Sequence, residues 1–109
     1  MPGIEQPERA PQRLPNSVGV APSIYIKTFT LREKGDAEVI KHEVLSGNVV
    51  IVRITPLAAS CVEDVRVVVE ELCRFSERYG GDIARLGEER VVITPPTVKI
   101  WRRPQSRDV

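Results

Sequence analysis

Three stretches of this chain alternate apolar and polar residues at the period of a strand, and two others repeat apolar residues at the period of a helix. Ser23 to Leu31 sets Ile24, Ile26 and Thr28 against Tyr25, Lys27 and Phe29, a β-branched and aromatic set that predicts a strand. Gly35 interrupts it. Asp36 is placed to cap a helix that carries Ala37, Ile40 and Val44 on one face and ends near Ser46, with Gly47 just past its end. Asn48 to Ile54 (N-V-V-I-V-R-I) then runs through four consecutive aliphatics, which predicts a central strand apolar on both faces. Strand, helix and strand at this spacing predict a right-handed crossover between parallel strands.

Thr55-Pro56 reads as the stop of that strand, and Ser60-x-x-Glu63 as the capping box of a second, longer helix ending at Tyr79. Cys61, Val65, Val68, Leu72, Phe75 and Tyr79 form one apolar stripe on it, and Val62, Val69 and Cys73 a second beside the first. Together they span about 160°, wider than the roughly 100° needed to sit on one sheet. The extra stripe calls for a second surface, either the first helix of the same subunit or the same helix of another copy. Gly80 and Gly81 end the helix, Asp82 to Leu86 alternates as a strand, and Gly87-Glu88-Glu89 reverses the chain. Val91 to Ile93 then runs apolar until Pro95, and Thr97 to Trp101 alternates once more. The predicted fold is therefore α/β, a two-layer sandwich of two helices on a five-stranded mixed sheet in the order β-α-β-α-β-β-β.

The segment Y-G-G-D-I-A-R-L-G-E-E-R-V-V-I-T-P from Tyr79 to Pro95 resembles the signature of the SepF family, cell-division proteins that link FtsZ filaments to the membrane. Gly80, Gly81, Ile83, Leu86, Gly87, Ile93, Thr94 and Pro95 occupy the family's glycine pair, alternating strand, glycine turn, apolar strand and threonine-proline stop. With the upstream elements the resemblance covers roughly Tyr25 to Ile100. It implies a homodimer that captures the C-terminal peptide of FtsZ. By motif position, Val91 and Ile93 are the peptide-contacting strand, with Leu57 to Val62 as its neighbour. Val62, Val69 and Cys73 are then the expected dimer contact, and Gly80, Gly81 and Gly87 the structural turns. Bacterial members carry a glycine in the second helix; its absence here resembles the archaeal type. The family's N-terminal in-plane amphipathic helix is not expected, because Pro2, Pro7, Pro11, Pro15 and Pro22 break any helical period before residue 23. The expected organisation is an extended tail over 1–22, a globular domain over 23–101 and a polar tail over 102–109.

Composition narrows the chemistry. A chain of 109 residues, 41% apolar and 28% charged, holds one domain with a modest core, which self-association would help. No apolar run approaches a membrane span and no signal peptide is visible, so a cytoplasmic protein is expected, and the resemblance implies the division site at the inner face of the membrane. Cys61 and Cys73 are twelve residues apart on the predicted helix, roughly 18 Å at its rise per residue and too far for a disulfide. His42 is the only histidine and has no spaced partner for a metal. Gly80-Gly81-Asp82 follows a helix and precedes a strand, the reverse of a dinucleotide-binding loop. No catalytic constellation, metal or cofactor is expected.

The element order also resembles Alba-type chromatin proteins, small dimers with a basic face, which gives a nucleic-acid-binding alternative. That reading needs clustered bases. Ser23 to Ile100 instead holds 11 basic and 12 acidic residues, with Glu88-Glu89 at the hairpin turn. Only Lys99, Arg102, Arg103 and Arg107 form a basic end, so no nucleic-acid partner is expected.

Overall fold

In a computed structural model the protein is described over residues 24–103. The tail over 1–22 and all of the C-terminal tail except Arg102 and Arg103 lie outside the described residues. Seven elements follow in order: β1 (Ile26–Thr30), α1 (Asp36–Leu45), β2 (Val49–Arg53), α2 (Thr55–Ser60), α3 (Val62–Tyr79), β3 (Asp82–Leu86) and β4 (Arg90–Thr94). The sheet runs β1-β2-β4-β3, with β1 parallel to β2 and the other two pairings antiparallel.

The strand count, the helix count and two helix caps differ from expectation. The described sheet has four strands, because Thr97 to Trp101 does not join it. Pro95 and Pro96 have no N–H to give a ladder and turn the chain, and the Val98 N–H goes back to the Pro95 carbonyl. The Ile100 N–H goes to the Asp82 carboxylate at 2.9 Å instead of to a strand carbonyl. Residues 95–102 thus form a strap over one end of the sheet.

The described chain also has three helices instead of two. Thr55-Pro56 starts one, since a proline in the first turn replaces an N–H that has no partner within the helix and presets φ. Cys61, in extended conformation (φ −159°, ψ 102°), then separates α2 from α3 and takes the N-cap position. No side-chain cap bond forms there, so the expected Ser60–Glu63 box is not made. At α1, similarly, Gly35 is the N-cap. Asp36 reaches back, its carboxylate accepting from the Arg32 and Glu33 N–H groups at 2.9 and 3.1 Å.

The helices lie on one face of the sheet. Phe29, Val50, Val52, Val91 and Ile93 point to that face and are buried with Ile40, Val44, Leu57, Val68 and Leu72 in one core. The glycine pair earns its place twice over. Gly80 takes the left-handed conformation (φ 87°) that closes α3, whereas a Cβ on Gly81 would collide with the carbonyl oxygen of Thr94. Gly87 turns the β3–β4 hairpin at φ 76°.

Candidate functional site

The strand directions divide the molecule into two ends. One end gathers the β1–α1 loop, α2, the start of α3 and the β3–β4 turn. The other gathers the start of β1, the last turns of α1 and α3, and the strap.

At the first end a groove of about 360 Å³ opens between α2, α3 and the hairpin. Ile54, Ala58, Val62, Val65 and Val69 supply its apolar surface, and Arg66, Glu70, Arg85 and Glu88 its charged border. The break at Cys61 builds it. By bending the chain between α2 and α3, it sets Ala58 and Val62 on adjacent walls instead of on one continuous helix.

The border charges are held in different ways. Arg66 pairs with Glu63 at 2.8 Å and with Glu70 at 3.6 Å along α3. Arg85 donates from Nε to the Gly87 carbonyl and from Nη2 to the Glu88 carbonyl, each at 3.2 Å. Among the described residues no carboxylate pairs with it, so its charge remains for a ligand.

The residues expected to contact a peptide fall on two levels. Val62 lines the groove and is 71% exposed. Leu57, Val91 and Ile93 are at most 4% exposed and belong to the core with Ile54 and Val65, which reach the groove. None of the three lines the groove, because each is turned into the core. Of the expected dimer residues, Val62 and Val69 share the groove wall on α3 and Cys73 lies further along that helix, half-buried. Ala58 falls within the expected Leu57 to Val62 segment, whereas Ile54, Arg66, Arg85 and Glu88 are groove residues the sequence pattern did not single out. The over-wide apolar face of α3 was their one sequence signal, because the groove exists only once three elements converge.

The opposite end is organised by Asp82. Its carboxylate receives the Ile100 N–H, its own neighbour Ile83 N–H at 2.9 Å, and the Arg102 guanidinium at 3.2 Å. The Arg102 hydrogen bonds, followed by the backbone donors, hold the Asp82 carboxyl below the usual aspartate range. Arg102 also donates to the Ile83 carbonyl at 2.9 Å, closing part of the β3 edge. Among the described residues no helix is long and apolar enough to cross a membrane.

Comparison with known proteins points one way. The profile of the family described as "Cell division protein SepF" matches residues 26–100. The fold is similar to a SepF-like protein from Archaeoglobus fulgidus at 28% identity and TM-score 0.67, covering 74% of this chain and 96% of that one. It is similar to a SepF-like protein from Pyrococcus furiosus at 33% identity and TM-score 0.67, covering 75% of this chain and 100% of that one. Comparison with curated proteins gives no match.

Proposed function

The chain belongs to the SepF family of cell division proteins, and on that premise we propose that it is a non-enzymatic adaptor that dimerises and binds the C-terminal peptide of FtsZ. In this role it helps anchor or organise the division ring at the inner face of the membrane. The observation that supports the reading most is the groove: an apolar floor wide enough for a few side chains, bordered by an arginine that pairs with no carboxylate among the described residues. A short peptide gains affinity by seating apolar anchors in such a cleft and gains register from the charges around it.

Dimerisation is assigned to the outer stripe of α3, through Val62, Val69 and Cys73. Val62 and Val69 therefore serve both contacts, and the partner's helix meets the peptide at one groove wall.

The test is a titration of the purified protein with its host's FtsZ C-terminal peptide, alongside light scattering for mass. Val62→Asp, at an exposed position, should weaken the peptide by about tenfold or more without unfolding the chain. Val69→Glu should give monomers. If Val69→Glu keeps the dimer mass while Ile51→Glu loses it, the contact belongs to the uncovered face of the sheet. A folded dimer that ignores the peptide removes FtsZ as the client.

A further inference from the structure

Five of the large apolar side chains that stand exposed gather at the end of the molecule opposite the groove: Ile24, Tyr25, Ile26, Leu45 and Trp101. Trp101 is 78% exposed, and its exposure is enforced. The residue before it is tied to Asp82 by its N–H and the residue after it by its guanidinium, so the indole between the two anchors is held outward.

Charge favours one sign at the same end. Of its acids, Glu43 is paired with Lys27 at 2.8 Å and Asp82 with Arg102, and Glu77 adjoins Arg78 in the last turn of α3, which leaves the bases of the strap in excess. Lys99 and Arg103 flank the indole with no acid beside them in the strap, and Arg78 stands in the last turn of α3. The start of β1 and the start of β3 lie three strand spacings apart, roughly 14 Å, so the patch has breadth as well as a single projecting ring.

An exposed indole, a tyrosine and aliphatics bordered by Lys99 and Arg103, which pair with no acid among the described residues, match the interface of an anionic bilayer. There the ring sits at headgroup level, and lysine and arginine keep their charges among lipid phosphates. A nucleic-acid site would need more bases and gains nothing from Leu45 or Ile26. We infer that this end of the domain, centred on Trp101, Lys99 and Arg103, docks on an anionic membrane surface. The inference deepens the tethering role proposed above, since it turns the membrane-facing end away from the groove and leaves the groove open for peptide.

The contact is weak per subunit and reversible. A few bases and one ring give marginal binding, and a dimer presenting two patches multiplies it through avidity.

Trp101 is the only tryptophan, so the full chain carries its own probe. With vesicles of phosphatidylglycerol and phosphatidylcholine in equal parts, its emission should shift to the blue and be quenched by brominated lipid, and high salt should reverse both. Pure phosphatidylcholine vesicles should leave it unchanged. Replacing Lys99 or Arg103 by Gln should each lower vesicle binding about fivefold. Trp101→Ala should abolish flotation with vesicles while keeping the circular dichroism spectrum and the peptide affinity of the groove.

The inference is overturned if Trp101 stays solvent-like on anionic vesicles. It is also overturned if the blue shift needs no lipid and follows protein concentration, which would make the patch a contact between copies. Duplex DNA binding lost in Trp101→Ala, without vesicle binding, would equally overturn it. Failure of the peptide titration alongside intact vesicle binding would count against the FtsZ reading alone.

Discussion

The two faces of the sheet are made from almost the same residues and end in different states. On the helix face Val50, Val52, Val91 and Ile93 are nearly inaccessible beneath α1 and α3. On the other face Ile51, Val92 and Ala84 stand next to one another in register and stay half-buried. Val49 and Thr94 on that second face are buried only at the end that the strap crosses, where the Thr94 hydroxyl donates to the Val98 carbonyl at 2.7 Å. Apolar residues on both sides of a strand therefore do not require helices on both sides. The second face is left to a short irregular strap and, over its centre, to whatever else binds there.

The largest effect should come from comparing neighbours on β4. Ile93→Ala removes a fully buried side chain from the core and should cost about 2–5 kcal/mol, whereas Val92→Ala on the other face should cost under about 1 kcal/mol. Denaturant unfolding of both variants measures the contrast. Equal losses would show that the second face is as closed as the first in solution, as it would be inside a stable dimer.

A smaller effect is expected where α3 hands over to β3. Gly81→Ala drives a methyl into the Thr94 carbonyl, backbone against backbone, so β3 must move away from β4 or the helix must lift. A loss of about 1–3 kcal/mol is expected. Gly87→Ala meets open space and pays only for its left-handed conformation, about 1 kcal/mol. If the two variants melted together, the close approach at Gly81 would not be what fixes the helix over its face.

Most of the layout was legible in the sequence because local pattern and tertiary need agree there. α1, β1, β2 and the hairpin fall where periodicity puts them, and the three predicted turn glycines are justified by φ or by space. The pattern misled where one local signal has two meanings. Proline after a strand reads as a stop, yet at Pro56 it opens α2. The alternation of Thr97 to Trp101 reads as a strand, yet the Asp82 carboxylate outcompetes the ladder for the Ile100 N–H. The site was half legible for a related reason. Alternation along β4 puts Val91 and Ile93 on one face, but only the packed helices show that this face is the core, so both are buried and, of Leu57, Val62, Val91 and Ile93, Val62 alone lines the groove.

The smallest effect tests the one closure the second face does have. Asp82 has a carboxyl pKa lowered in the folded state, so its stabilising contribution is fully present above the ordinary aspartate value near 3.9. That contribution is lost as pH falls through the lower folded value. Acidification below about pH 4 should then free the strap; Glu43, also held low by Lys27, loses its pair on α1 in the same range but leaves the apolar core beneath the helices in place. Amide exchange at Ile100 should rise selectively, and Asp82→Asn should show the same exposure at neutral pH with little change in overall stability, since Arg102 is largely solvated. If Ile100 kept its protection in Asp82→Asn, the prolines and the Thr94–Val98 bond alone would hold the strap. The second face would then be closed by backbone geometry in place of charge.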